Sequence, residues 1–131
     1  MQEDIGKLVG RLSVGGLLLL HGIHELLTGI APIKAMVVAH HLPDLVAYGI
    51  YMGEIVGPIL VILGLFSRLG GVLIVINMIV AVALAGMASI AKLNGAGGYA
   101  LELETFYLLG GLSVAMLGAG RIGLNIGGRW N

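Results

Sequence analysis

Residues 69–90 read LGGVLIVINMIVAVALAGMASI, a run whose only polar side chains are Asn77 and Ser89 and which carries no charge. Its length is close to the ~20 residues that a helix needs to cross ~30 Å of hydrocarbon. The apolarity is continuous, whereas the ~10-residue strands of a membrane barrel alternate, so a barrel is excluded. Working outward, three further apolar stretches of similar length occupy residues 8–30, 45–66 and 99–119. The pattern predicts an all-α integral membrane protein, an up-down four-helix bundle forming one domain over residues 1–131, with the lipid bilayer as its first partner. Tight turns are expected near Ser67-Arg68 and Lys92-Leu93-Asn94-Gly95. Between Pro32 and Pro43, Ile33, Met36, Val37 and His40 recur at helical spacing, with Lys34 and His41 on other faces, which predicts an interfacial helix over residues 33–42.

Composition agrees and removes several function classes. Hydrophobic residues make up 58% of the chain and charged residues 11%, and the mean hydropathy of +1.04 is foreign to a soluble domain. With no cysteine, disulfides, thiolate metal sites and thiol catalysis by this chain are excluded. A net charge of zero gives no footprint for nucleic acid. Lys7 and Arg11 ahead of Leu12–Leu20 imitate a secretory signal, but His21, His24 and Glu25 stand where a small-residue cleavage site belongs, so the segment is expected to remain as the first span. Lys7, Arg11, Arg68, Arg121 and Arg129 fall at one end of the spans and Lys34 and Lys92 at the other, which predicts an inner-membrane protein with both termini cytoplasmic.

Ionisable side chains within spans are costly, about 2.5–3.5 kcal/mol at the bilayer centre, so they mark functional sites by default. Here His21, His24 and Glu25 approach the outer end of the first span, Glu54 lies in the second, and Glu102 and Glu104 open the fourth. At ~1.5 Å of rise per residue all six fall roughly 6–14 Å below the outer boundary, in one layer. The H-x-x-H-E pattern puts two imidazoles and a carboxylate near one stripe, a weak metal candidate because di-metal bundles draw ligands from several helices. The plainer reading of His24 and Glu25 is an interfacial pair reaching the outer surface. Pro58, four residues after Glu54, has no N–H for the Glu54 carbonyl, so the helix is expected to open there. The bland alternative is a proline kink with a buried acid acting as glue. Glu102 and Glu104 are two apart and cannot share a face; the sequence leaves open which one turns inward. Asn77 is read as an interhelical hydrogen-bonding residue that also stands beside any ligand. Small-residue faces at Gly49, Gly53 and Gly57, at Asn77, Ala81, Ala85 and Ser89, and at Glu104, Gly111, Ala115 and Gly118 read as packing seams.

Three segments, Gly15–Gly29 (GGLLLLHGIHELLTG), Gly53–Arg68 (GEIVGPILVILGLFSR) and Gly118–Asn125 (GAGRIGLN), together resemble the DoxX family of small prokaryotic membrane proteins. The resemblance implies a four-helix inner-membrane protein and an association with quinone-linked oxidoreductases, as an accessory or quinone-interacting subunit.

Two further readings belong to other classes: a small transporter that relays protons or a cation through the His/Glu layer, and a structural assembly subunit. No self-sufficient catalytic constellation is visible. Quinone is the first ligand candidate and a metal the second, with a membrane or redox subunit or a second copy as the protein partner.

Overall fold

The computed structural model describes all residues from Met1 to Asn131 and is entirely helical apart from its connections. Five helices are present: α1 (Gln2–Thr28), α2 (Ala31–Ala39), α3 (Asp44–Leu63), α4 (Ser67–Ser89) and α5 (Glu102–Leu117). α3 and α4 are each long and apolar enough to cross a membrane alone. α1 passes the same test only together with α2, from which it is bent by 95°. The expected fourth span is shorter than its apolar run: α5 has 16 residues, ~24 Å, because Tyr99–Leu101 belong to the preceding loop and Gly118, at φ 77°, ends the helix. The chain is thus a membrane helical bundle with two or three membrane-length spans.

The local reasons are legible. α1 opens with Glu3 and Asp4 at the positive end of its dipole and braces its first turns with a 2.8 Å Glu3–Lys7 ion pair. Gly29, at φ 84°, ends it, and Pro32 in the first turn of α2 forgoes an N–H that no helical partner needs. α2 overlaps the stretch 33–42 expected to be helical, but it runs from Ala31 to Ala39 and ends before His40. The connection expected at Ser67-Arg68 lies earlier: Gly64 and Phe66, both left-handed, make the turn, and Ser67 and Arg68 already begin α4. The second connection is a longer excursion, closed by the Leu93–Tyr99 bridge and by Asn94, whose side-chain oxygen accepts the Ala96 and Gly98 N–H groups at 3.0 Å.

Only 24 of 131 residues are buried, and the rest of the apolar surface faces outward, as befits a bundle whose solvent is lipid. The central cluster is Leu18, Val61, Ile74, Met78, Tyr107 and Val114. The helices meet on glycine. A Cβ on Gly15 would stand 2.8 Å from Ile62 and 3.0 Å from the Pro58 carbonyl, and one on Gly71 2.5 Å from the Gly111 carbonyl. Gly57 and Gly70 face each other's carbonyls across α3 and α4. The seams expected at Gly53, Gly57 and Gly111 are therefore real; Gly49 meets nothing within 4 Å.

At the end where the termini meet, residues 118–131 fold back under the bundle. The last carbonyls of α3 are all taken: Leu60 by the Leu65 N–H, Ile62 by Arg11 at 3.0 Å, and Leu63 and Gly64 by the Leu124 and Asn125 N–H groups at 2.9 Å. Val61 accepts from Arg11 at 2.8 Å. The same guanidinium reaches the tail through the Ala119 carbonyl at 2.8 Å and the Ile122 carbonyl. Arg68 does likewise for α5, donating to Ala115 and Met116 at 3.0 and 2.5 Å. Helix ends expose carbonyls at the negative end of the dipole, and these two cations satisfy them. Arg11 and Arg68 thus serve as buried or half-buried caps rather than as free flanking charges.

Candidate functional site

The expected opening of the helix at Glu54 takes the form of a π-turn. Residues Met52–Val56 widen by one residue, so that the Gly57 N–H reaches the Met52 carbonyl, and Pro58 then stands in the first turn of a new α-helical segment. The Glu54 carbonyl abuts Gly22 of α1, the one residue type whose lack of a Cβ lets the two backbones approach so closely. Its side chain is half-buried and accepts a 3.3 Å hydrogen bond from Asn77 Nδ2. Asn77 in turn lies directly against Gly53. The interhelical role expected of Asn77 is therefore present, with Glu54 as its partner.

Glu54 and Asn77 line a cavity of about 270 Å³ between α2, α3 and α4, just below the ~300 Å³ at which small-molecule pockets begin. Of its 17 lining residues 13 are hydrophobic, and these two supply its only polar side chains. A second π-turn, Val82–Gly86, contributes Leu84 and Ala85 to the α4 wall. π-turns recur at functional sites because the added residue redirects side chains and loosens the ladder. The arrangement can orient an apolar body with a hydrogen-bonding head, giving it an amide donor and a carboxyl able to donate or accept a proton.

The rest of the expected layer does not converge on this point. His21 is exposed, and its ring stands edge-on to the buried Tyr107, centroids 5.9 Å apart at 82°. It therefore does not turn wholly into the interior, as its depth suggested. His24 is exposed; Glu25 is half-buried and, like Tyr107, within electrostatic reach of Glu54. Glu102 is exposed and accepts from Asn94 Nδ2 at 3.5 Å, which ties it to the loop between α4 and α5. Glu104 is half-buried in a separate apolar groove between α4 and α5 with Tyr99 and Thr105, so of the two it is Glu104 that turns toward the protein, though not toward Glu54. No three His, Asp or Glu side chains, those of His21, His24 and Glu25 included, are arranged to hold a metal ion. A shared depth places residues in one slab but says nothing of their direction around each helix axis, and direction separates them here.

Sequence reasoning missed Tyr107, Gly22 and the α2 wall of the cavity. Tyr107 carried a weak signal, lying on the same α5 face as Gly111 and Val114, one turn apart. The α2 wall carried none, because the 95° bend that lays it over α3 is a property of the folded chain.

No curated protein and no solved structure matches the chain. The sequence model of the DoxX family matches residues 6–87, well over half of the chain, and that interval contains most of α1, all of α2 and α3 and most of α4, with the whole lining of the Glu54–Asn77 cavity. Two of the segments that carry the resemblance, Gly15–Gly29 and Gly53–Arg68, fall inside that interval and hold Gly15, Gly22, Gly53, Gly57 and Arg68 of the contacts and caps just described, and the chain belongs to the DoxX family.

Proposed function

We propose that this protein binds a lipid-soluble ligand with a hydrogen-bonding head group, a quinone or its quinol, and acts as an accessory subunit of a membrane oxidoreductase system. The observation that carries the reading is the cavity itself: an apolar chamber of about 270 Å³ whose only polar side chains, Glu54 and Asn77, are bonded to each other on one wall. A quinone presents two carbonyl oxygens on an apolar ring. Asn77 Nδ2 is a donor for one such oxygen, and the Glu54 carboxyl exchanges the proton that accompanies each electron when quinone becomes quinol. The electrons come, on this reading, from a partner redox subunit.

Glu54→Gln tests the site. The amide keeps the shape and hydrogen-bonding reach of the carboxyl but does not exchange a proton, so packing and chemistry separate. Binding of the quinol, whose hydroxyl donates to the carboxylate, followed in the purified protein by quenching of intrinsic fluorescence, is expected to weaken about tenfold, the difference between a charge-assisted hydrogen bond and a neutral one. Asn77→Leu is expected to weaken it at least as much. Unchanged binding in both variants, at normal abundance in the membrane, sinks the reading and leaves a structural subunit ahead.

The same proposal places both termini in the cytoplasm. They lie at one end of the bundle, where Asp4 Oδ1 accepts the Arg121 N–H at 3.0 Å. Cysteines at Gln2 and at Ala96 in the opposite loop are expected to react with an impermeant maleimide from opposite sides, Gln2→Cys from the cytoplasmic side. Reaction of Gln2→Cys from the outside alone reverses the orientation.

A further inference from the structure

The cavity has two unlike boundaries. Toward the end of the bundle opposite the termini it is roofed by Ile33, Met36 and Val37 of α2. Val37 is fully buried, packed with Ile30 and Ala47 and against Leu84 of α4, so this side is closed by tight apolar contact. On the flank between α3 and α4 the lining side chains Met52, Ile76 and Val80 are 49%, 52% and 41% exposed, which makes an open apolar mouth at bilayer depth.

α2 is set off from the helices on either side of it. It is preceded by the 95° bend after Gly29 (φ 84°) and followed by His41 (φ 61°) and Pro43, so conformations outside the helical region flank it at both ends. Its polar tie to α3 is a single side chain: Lys34 Nζ donates to the Tyr48 hydroxyl at 2.6 Å and lies 4.6 Å from the centre of the same ring. We propose that α2 is a hinged strap, latched by Lys34 on Tyr48, that seals the cavity from water, so that the ligand passes from the bilayer through the α3–α4 flank. The ligand class is then an amphiphile dissolved in lipid, and water-borne metabolites are excluded. The inference rests on the cavity being a ligand site, as proposed above, but it concerns access alone.

The absence of native cysteine makes a direct test clean, because Ala81→Cys reports on the cavity by itself. The full chain in sealed membrane vesicles is treated with a charged, impermeant methanethiosulfonate on the outer side and, separately, with lipid-soluble pyrene maleimide; Ala96→Cys in the outer loop serves as the accessible reference. Ala81→Cys is expected to react readily with the maleimide and at least tenfold more slowly than Ala96→Cys with the charged reagent. Adding Lys34→Met is expected to raise the charged-reagent rate about fivefold, the size of one exposed cation–π contact with its hydrogen bond, and to leave the maleimide rate unchanged. Tyr48→Phe, which keeps the ring and loses only the acceptor, gives a smaller rise and stands in should the methionine variant not accumulate. Equal charged-reagent rates at positions 81 and 96 overturn the seal, and no rise in either latch variant overturns the latch. No quinone is added, so a failure of quinone to bind leaves both outcomes readable.

Discussion

Replacement of Arg11 by methionine is expected to remove most of the folded protein. Methionine matches the aliphatic stem and supplies no donor, so the Val61 and Ile62 carbonyls at the end of α3 and the Ala119 and Ile122 carbonyls of the tail lose their bonds together. Arg11 itself is closed to water, at 1% exposure. A hydrogen bond involving a charged group contributes ~1.5–3 kcal/mol, and a buried acceptor left alone costs ~1–3 kcal/mol, so even a fraction of the four amounts to a loss of at least ~3 kcal/mol. Lysine is the informative intermediate. Its ammonium concentrates three donors on one atom and does not span carbonyls from two segments as a planar guanidinium does, so Arg11→Lys is expected to fold but to melt earlier. Size-exclusion profiles of detergent extracts after graded heating give the order: wild type, then lysine, then methionine. A methionine variant as heat-resistant as wild type would show that the tail and the end of α3 hold together without the guanidinium.

The second large effect is expected at Gly22. A Cβ there would be driven into the Glu54 carbonyl and within 2.7 Å of Ile55 Cγ1, and backbone does not yield as a flexible side chain does. Gly22→Ala therefore pushes α1 away from the π-turn of α3, at an expected cost of ~1–3 kcal/mol or more, and moves Glu54 with it. The control lies on the same helix. A Cβ on Gly16 meets nothing within 4 Å, so Gly16→Ala gains the helix propensity of alanine, up to ~1 kcal/mol, without a clash. The same heating assay is expected to separate the two alanines in opposite directions, and ligand binding to fall in the first alone. Equal behaviour of the pair would remove the close α1–α3 contact as a determinant of the site.

The sequence by itself determined the class of molecule and much of its grammar. An uncharged run at residues 69–90 admits one structure in lipid, since a helix satisfies its own backbone there. Pro58 four residues after Glu54 announced a disturbance of the ladder, and glycines one turn apart announced seams, because both follow from local chemistry at fixed spacing. Asn77, a lone amide in that run, had to find a partner, though the identity of that partner was not local. Tertiary structure alone decided which of the ionisable residues at similar depth meet. Depth follows from counting residues along a helix, whereas convergence depends on rotation about each axis and on which helices are neighbours; Glu54 and Asn77 meet, and Glu102 and Glu104 turn to other surroundings. Arg11 shows the limit most sharply. In a count of flanking charges it equals Lys7, yet its partners lie 50 to 111 residues away, and only the folded chain brings the end of α3 and the tail to one guanidinium.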